Sequence, residues 1–172
     1  MSKVQIEEIF DQLSQLKVAV VGDVMLDTYW WGKVERISPE APVPVVAVSN
    51  REQRIGGAGN VALNVRALGA TVHVLSVLGE DDDAMQLQQL FTLHNIESAY
   101  LVRSGQRVTT NKIRIISRNQ QMMRLDAEIT RDIDEAEEKA LISAFQKYVD
   151  EVQPQLVILE DYNKGVLTAH VI

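Results

Sequence analysis

Apolar residues along this chain alternate between the spacing of helices and the spacing of buried strands. Helical spacing is found over residues 4–16, 58–68, 81–93 and 133–152. Unbroken runs of aliphatic residues, which are typical of strands buried on both faces of a parallel sheet, cover residues 17–22, 71–78 and 156–159. Helices and such strands in alternation predict an α/β fold, with a parallel sheet flanked by helices.

Two stretches interrupt this alternation and predict a second, smaller β-sheet. In residues 28–55, the three prolines within residues 39–44 exclude a regular helix, and the valines around them indicate a strand at a sheet edge. Residues 98–126 are also extended, and the polar segment 117–121 between two strand patterns predicts a hairpin. Neither face of strand 108–116 is wholly apolar. One side of this sheet is therefore expected to meet solvent, a ligand or a partner, and an ordinary surface hairpin is the alternative.

Composition and charge argue against several classes of function. The chain has 172 residues, enough for one domain with a sizeable core, and 46% of them are hydrophobic. A net charge of −7 argues against nucleic acid or an acidic membrane as the main partner. The sequence contains no cysteine, no signal-peptide pattern and no apolar run of membrane-spanning length. We therefore expect a soluble, cytoplasmic protein that binds neither nucleic acid nor a membrane.

The glycine-rich residues 56–60 form the most informative turn of the chain. Three glycines allow a ligand to approach the backbone closely, and helix 58–68 presents unpaired N–H groups at its start. Asn60 adds a side-chain donor and acceptor at the same place. A tight strand-to-helix turn that binds nothing is the alternative interpretation.

Carboxylates follow the ends of two predicted core strands. Asp23 and Asp27 come after the first of these strands, and Asp161 comes after the third. Ligands of open α/β sheets lie beyond the carboxyl ends of the strands, and right-handed crossovers bring these ends together. We therefore expect these aspartates to converge with residues 56–60 at one sheet edge. Loop or helix-capping carboxylates are the alternative for Asp23 and Asp27.

These groups suit a polyhydroxylated ligand that carries a phosphate. Carboxylates and an amide hold hydroxyls, and positive charge for a phosphate is available at Lys112, Arg114, Arg118 and Lys164. Neither a P-loop nor a dinucleotide-binding glycine motif is present. The acidic triplet 81–83 favours helix caps over a metal site. The sequence therefore predicts a phosphosugar site without a bound metal.

Five segments of the sequence resemble a known family. They are Val21-Gly-Asp-Val-Met-Leu-Asp27, Arg36-Ile-Ser-Pro-Glu-Ala-Pro-Val-Pro-Val45, Gly56-Gly-Ala-Gly-Asn-Val-Ala62, Ser117-Arg-Asn-Gln-Gln121 and Asp161-Tyr-Asn-Lys-Gly165. They are similar to the kinase domain of bifunctional ADP-heptose synthases, a branch of the ribokinase-like (PfkB) carbohydrate kinases. The Gly-Gly-x-x-Asn signature is shared by the whole family, whereas the Arg-Ile-Ser-Pro-Glu-Ala-Pro and Ser-Arg-Asn-Gln-Gln strings are particular to the heptose branch. The resemblance extends from residue 17 to the end of the chain.

The resemblance implies a ribokinase-like fold, of which residues 1–172 are the N-terminal, sugar-binding part. Segments 28–55 and 98–126 would then form a small β lid sheet over the sugar and join two copies in a homodimer. The implied reaction transfers the γ-phosphate of Mg-ATP to the anomeric hydroxyl of a heptose 7-phosphate, in ADP-heptose biosynthesis for the lipopolysaccharide core.

The resemblance also places the substrate-binding residues on the shared motifs, and Asp161 joins them from its position at the same strand edge. They are Asp23, Asp27, Gly56, Gly57 and Asn60 around the sugar, Arg114, Asn119 and Gln121 on the lid, and Asp161 and Lys164 after the third core strand. Lys164 is the candidate for the 7-phosphate. No metal ligand and no catalytic residue is expected within the chain.

The chain departs from the family in one large respect. Kinases of this family carry a nucleotide site and a Gly-Ala-Gly-Asp motif in their second half, and the aspartate of that motif is the general base. No such motif follows Asp161. We therefore expect a truncated chain that binds no ATP, phosphorylates nothing alone and self-associates through uncovered apolar surface. A non-catalytic sugar-binding or dimerisation module is the alternative.

Overall fold

A computed structural model describes residues 3–172 of the chain, with side chains from residue 7 onward. The helices and strands within these residues are α1 (Lys3–Ser14), β1 (Lys17–Gly22), β2 (Val24–Ile37), β3 (Pro44–Gly57), α2 (Ala58–Ala67), β4 (Thr71–Leu75), β5 (Val77–Gly79), α3 (Asp82–Leu93), β6 (Val102–Ser104), β7 (Asn111–Ser117), β8 (Gln120–Ala127), α4 (Glu135–Val152) and β9 (Leu156–Glu160). This order confirms the predicted α/β class.

A core sheet of three parallel strands runs in the order β4-β1-β9. Val18 and Val20 on one face of β1 belong to the same buried cluster as side chains of α2 and α3. Ala19 and Val21 on the other face belong to a cluster that includes Tyr148 of α4. Both faces of β1 are therefore buried, which is the reason for its unbroken apolar sequence.

A second sheet, which we call the lid sheet, contains four strands in the order β3-β2-β7-β8. Strand β2 pairs antiparallel with β3 and parallel with β7, and β7 pairs antiparallel with β8. Strand β3 lies at the edge, as its leading prolines predicted. Arg118 and Asn119 join β7 to β8 with φ angles of 49° and 63°, the left-handed conformation of a two-residue hairpin turn. The predicted hairpin is confirmed.

The lid sheet begins earlier and ends later than predicted. Strand β2 starts at Val24, directly after β1, and β3 continues to Gly57, where it pairs with Val24. Asp27 and Gly56 are therefore strand residues, although the sequence suggested a loop. The first apolar residues of β2 are buried on both sides of the strand and carry no alternation that would mark them as part of a half-exposed sheet.

The apolar run 71–78, which predicts a single strand, divides into two strands of different sheets. Ser76 lies between β4 and β5, and its buried hydroxyl donates a hydrogen bond to the carbonyl of Gly22 at 2.6 Å. Strand β5 then pairs in parallel with β6. The predicted lid segment 98–126 is divided as well, because β6 leaves only residues 111–127 to the lid sheet.

Apolar surface is exposed on the outer strand of the described core sheet. Leu156 and Leu159 of β9 are 46% and 47% exposed, so the predicted burial of strand 156–159 on both faces is wrong for this chain, in which the described residues leave most of the outer strand uncovered. This surface is consistent with the expected self-association, which stays a prediction. Within residues 3–172, no helix combines the length and apolar character that a membrane crossing requires.

Candidate functional site

A cleft with a volume of about 460 Å³ opens between the lid sheet and the start of α2. Half of the predicted substrate-binding residues line it, and these are Asp27, Gly56, Gly57, Asn60 and Arg114. The predicted convergence of Asp27 with the glycine-rich turn is therefore confirmed. Pairing between β2 and β3 produces it, because Met25 lies opposite Gly56 and Asp27 lies opposite Arg54.

Gly56 leaves room for the carboxylate of Asp27. A Cβ atom at position 56 would lie 2.5 Å from Oδ2 of Asp27 and 2.9 Å from Cγ of Met25. Both distances are shorter than real Cβ contacts, so any side chain at position 56 would displace the carboxylate of Asp27 or the side chain of Met25. The first glycine of the motif is therefore required by the position of the cleft carboxylate.

Gly57 is required by the start of α2. Its φ angle is 58°, and a Cβ atom there would lie 2.2 Å from the carbonyl oxygen of Asp23. The same carbonyl accepts a hydrogen bond from the N–H of Ala58 at 2.9 Å. Gly57 has no side chain to cap the helix, and Asn60 in the first turn is exposed to the cleft. The N-terminal end of α2, which attracts electronegative groups, thus forms part of the cleft wall.

Asp27 and Arg114 form the charged centre of the cleft. Oδ1 of Asp27 lies 2.5 Å from Nη1 of Arg114, and the two side chains are only 20% and 21% exposed. The guanidinium of Arg114 also lies 5.3 Å from the ring centroid of Tyr29. Arg114 engages Oδ1 of Asp27. The other carboxylate oxygen, Oδ2, is the one that lies near Gly56. Asp27 can accept a hydrogen bond from a ligand hydroxyl, and Arg114 can donate one.

Lys164 lies outside this lining and is held by another carboxylate. Its Nζ lies 3.3 Å from Glu128, which Lys112 also contacts at 3.0 Å. Burial alone would raise the pKa of Glu128, but hydrogen bonds from Lys112 and Lys164 outweigh it and the pKa is lowered. Lys164 is only 17% exposed. The geometry therefore does not support the predicted phosphate contact of Lys164.

Asp23 is buried beneath a loop and does not line the cleft. It is 1% exposed, and its Oδ2 accepts hydrogen bonds from the backbone N–H groups of Tyr162 at 2.8 Å and Lys164 at 3.0 Å. Its Oδ1 accepts a third from Val166 at 3.1 Å. The predicted sugar contact of Asp23 is therefore corrected, because both carboxylate oxygens serve the backbone of loop 162–166.

Arg107 supports the same loop with the opposite charge. It is 7% exposed and donates to the carbonyls of Lys164 at 2.5 Å, Arg131 at 3.1 Å and Ile129 at 3.2 Å. Burial lowers the pKa of Arg107. Two buried charges thus hold loop 162–166, and the loop places Tyr162 at the cleft. Neither Asp23 nor Arg107 lines the cleft. Both act indirectly, by holding the loop that places Tyr162 there.

Three further predicted residues do not join the cleft. Asp161 is exposed, and its Oδ1 accepts a hydrogen bond from the N–H of Asn163 at 2.7 Å in a local turn. Asn119 lies in the hairpin turn, and Gln121 pairs with Ile116 near the hairpin tip. None of the three is among the lining residues. Their contacts with a substrate stay predictions.

The acidic triplet caps a helix, as predicted. Asp81 precedes α3, and its Oδ1 accepts a hydrogen bond from the N–H of Ala84 at 2.9 Å. Its Oδ2 accepts another from the N–H of Thr109 at 2.7 Å. Asp83 accepts a hydrogen bond from the side-chain amide of Asn111 at 2.9 Å. These contacts tie α3 to the start of β7.

Four polar or aromatic residues of the lining were not predicted from the sequence to belong to the site. They are Tyr29, Arg54, Arg124 and Tyr162. Tyr29 is two residues from Asp27 on the same strand face, and Arg54 has the same relation to Gly56. Counting every second residue along β2 from Asp27 identifies Tyr29, and the same count along β3 from Gly56 identifies Arg54. Arg124 and Tyr162 depend on a register and a loop that the sequence pattern does not reveal.

Comparison with known proteins agrees with the earlier resemblance. The sequence profile of the pfkB family carbohydrate kinases matches residues 15–161. The protein named "Bifunctional protein HldE" of Trichlorobacter lovleyi is 42% identical over 172 residues, which are 100% of this chain and 35% of that protein. Its namesake in Coxiella burnetii is 44% identical over 151 residues, 88% of this chain and 31% of that protein. The chain thus spans 35% or less of the length of these two relatives.

Solved structures show the same fold at low sequence identity. The "Microbiome-derived Acarbose Kinase Mak1" superposes with a TM-score of 0.56 and 24% identity, over 84% of this chain and 45% of that one. A "Carbohydrate kinase from Agrobacterium tumefaciens" gives a TM-score of 0.56 and 18% identity, over 83% of this chain and 52% of that one. The predicted ribokinase-like fold is confirmed. With the family profile matching most of its length, this chain belongs to the pfkB family of carbohydrate kinases.

Proposed function

We propose that this chain is the sugar-binding part of a kinase that phosphorylates the anomeric hydroxyl of a heptose 7-phosphate. The observation that carries the proposal is the cleft in which the carboxylate of Asp27 lies against Gly56 at the start of α2. Relatives named HldE, 42% and 44% identical to the chain, support the heptose as the sugar. The reaction belongs to ADP-heptose biosynthesis for the lipopolysaccharide core, in the cytoplasm.

The cleft offers the hydrogen-bonding groups that a sugar requires. Asp27 accepts from hydroxyls, Asn60 both donates and accepts, and Arg114 donates. Hydrogen bonds to ionised groups are stronger than neutral ones, so the pair of Asp27 and Arg114 orients a bound sugar more firmly than Asn60 does. The lid sheet supplies one wall and α2 the other, so that a sugar lies between them.

The Gly-Ala-Gly-Asp motif that carries the nucleotide chemistry in kinases of this family does not occur in the sequence. We propose that Mg-ATP binds elsewhere in the full-length protein, and that this chain alone binds no ATP and transfers no phosphate.

The opposite face of the lid sheet is a candidate surface for the homodimer. Cross-strand pairs on this face are apolar, because Ile113 lies opposite Leu125 and Ile115 lies opposite Met123. Leu125 and Met123 are 44% and 54% exposed. We propose that a second copy of the chain covers this face, since a second copy presents the same apolar strands.

Calorimetric titration of heptose 7-phosphate into three forms of the chain tests the proposed sugar site. The wild type should bind, and Asp27→Asn should bind at least about tenfold more weakly, because a charge-assisted hydrogen bond is lost. Asp150→Asn is the matched control, since Asp150 is exposed on α4 and does not line the cleft. Absence of binding by the wild type, or equal binding by Asp27→Asn, would contradict the proposal.

A further inference from the structure

The cleft is lined by more positive charge than a neutral sugar needs. Its lining includes the cationic residues Arg54, Lys112, Arg114 and Arg124, with Asp27 as the one carboxylate among the lining residues. The carboxylates of Glu52, Asp126 and Glu128 pair with these cations from outside the lining. Each of the four cations is paired with a carboxylate, so an anionic group on the ligand would have to take the place of a partner at the cations that are held least firmly.

Two of the four cations are committed to the protein. Arg114 is bound to Asp27 at 2.5 Å and is 21% exposed. Lys112 contacts both Asp126 at 3.2 Å and Glu128 at 3.0 Å, and is 14% exposed. Removing Arg114 would leave the shielded carboxylate of Asp27 unpaired, and removing Lys112 would take a contact from two carboxylates at once, so both changes cost free energy. These two cations are therefore poor candidates for an exchangeable anion contact.

Arg54 and Arg124 differ from them in exposure and in partners. Their side chains are 55% and 49% exposed, and each pairs with a carboxylate two residues away on its own strand. Arg54 donates through Nε to Glu52 at 2.6 Å, and its terminal amino groups bond to no residue in the part of the chain that the structure describes. The pair of Arg54 with Glu52 is exposed on both sides and contributes little to stability, so another anion can replace the carboxylate cheaply. Arg124 donates to Asp126 through both Nε and Nη2 at 2.8 Å, but Asp126 keeps its contact with Lys112 at 3.2 Å if Arg124 turns to a ligand.

The position of the two arginines suits a ligand held at Asp27. Arg54 lies directly opposite Asp27 in the β2–β3 pairing, and its guanidinium lies 4.8 Å from the ring centroid of Tyr29. Arg124 lies directly opposite Arg114 in the β7–β8 pairing. The two residues therefore reach the same cleft from the outer strands of the lid sheet. A guanidinium donates in a planar fork that matches the oxygens of a phosphate.

We propose that Arg54 and Arg124 form an anion subsite for the phosphate of a phosphosugar whose hydroxyls are held at Asp27. This assignment rests on the proposed function and replaces Lys164 as the phosphate contact. Arg54 and Arg124 select the phosphorylated sugar over the free sugar, while Asp27 and Asn60 bind both.

The experiment compares the affinities of heptose 7-phosphate and of unphosphorylated heptose for each variant by calorimetry. The wild type should bind the phosphorylated sugar at least about tenfold more tightly. Arg54→Gln and Arg124→Gln should each reduce the affinity for heptose 7-phosphate about tenfold and leave the affinity for free heptose unchanged, since one charge-assisted contact is lost. Inorganic phosphate should compete with the phosphorylated sugar in the wild type, a result that does not depend on any variant.

Arg51→Gln is the matched control for the two substitutions. Arg51 lies on the same strand as Arg54 but on the opposite face of the lid sheet, where its guanidinium is 4.9 Å from the ring centroid of Trp30. This control should bind both sugars as the wild type does. Equal affinity of the wild type for both sugars would overturn the subsite and leave the sugar site standing. Loss of discrimination in Lys164→Gln alone would also overturn it, and failure of both sugars to bind would overturn the proposed function as well.

Discussion

Replacing Asp23 by asparagine should destabilise the fold and loosen one wall of the cleft. The carboxylate of Asp23 accepts backbone hydrogen bonds from Tyr162, Lys164 and Val166, at 2.8, 3.0 and 3.1 Å. An asparagine amide has one accepting oxygen, and its NH2 group would point at a donor. The substitution therefore leaves at least one buried N–H group without an acceptor, and removes the charge that strengthens the other bonds.

The magnitude follows from these contacts. An unsatisfied buried donor costs about 1–3 kcal/mol, and weakening the remaining charge-assisted bonds adds to it, so we expect a loss of about 2–4 kcal/mol in the free energy of unfolding. The exposed Asp161 is the matched control, because it is in the same region and accepts one backbone hydrogen bond at 2.7 Å. Asp161→Asn should cost less than about 1 kcal/mol, as exposed substitutions usually do.

Urea denaturation followed by circular dichroism measures both variants. Asp23→Asn should lower the denaturation midpoint with an unchanged slope, because the surface exposed on unfolding is the same. The folded variant should also bind heptose 7-phosphate more weakly, since Tyr162 is no longer held at the cleft. A stability within about 0.5 kcal/mol of the wild type would refute the assigned role of Asp23.

Three further substitutions test other parts of the structure. Gly56→Ala brings a Cβ atom within 2.5 Å of the Asp27 carboxylate and should weaken sugar binding at least about tenfold in calorimetry, whereas Gly105→Ala, with its nearest atom at 3.6 Å, should not. Burial alone would raise the pKa of Asp81, but hydrogen bonds from Thr109 and Ala84 outweigh it, so the pKa lies below its ordinary value of 3.8. The stability that Asp81 provides is thus present above that value and lost as the pH falls through the lowered pKa. Asp81→Ala should cost about 1 kcal/mol in urea denaturation at pH 7 and show a shallower loss of stability in acid; an unchanged acid profile would count against this. Tyr148 is fully buried, its hydroxyl has no hydrogen-bond partner in the described part of the chain, and burial raises its pKa to about 12. Tyr148→Phe should be as stable as the wild type or more stable, and a loss above about 2 kcal/mol in thermal denaturation would contradict this.

The core of the fold could be predicted because burial leaves a strong pattern in the sequence. Strand β1 is buried on both faces, so its residues 18–21 are apolar without interruption. Strand β9 carries the same unbroken apolar pattern and could be found from it, although it is largely exposed in this chain. The glycine-rich turn and Asp27 each follow a predicted strand, so their approach at one sheet edge could be predicted from the sequence. The structure adds the reason for the glycines at positions 56 and 57, because a Cβ atom at either would overlap an atom of Asp27 or Asp23.

The position of Arg124 could not be predicted, because it depends on an irregularity in a strand pair. From the turn at Arg118 and Asn119, regular antiparallel pairing would place Met123 opposite Arg114. The register shifts by one residue between Ile115 and Ile116, and Arg124 takes that place. A shift of one residue moves every following side chain to the other face of the strand, and no local sequence signal marks it.

The role of Asp23 was missed for a different reason. Its partners are backbone N–H groups 139 to 143 residues away, and a backbone group has no side-chain identity that a sequence motif could record. The sequence therefore showed an aspartate at a strand end but not the direction in which its carboxylate points. The same limit applies to Arg107, whose acceptors are backbone carbonyls.

Separate calorimetric titrations of the wild-type chain with heptose 7-phosphate and with Mg-ATP test the central claim most directly. The cleft at Asp27 predicts saturable binding of the sugar phosphate, and the proposed location of the nucleotide site elsewhere predicts no binding of Mg-ATP. Absence of binding of the sugar phosphate, or saturable binding of Mg-ATP, would contradict the account.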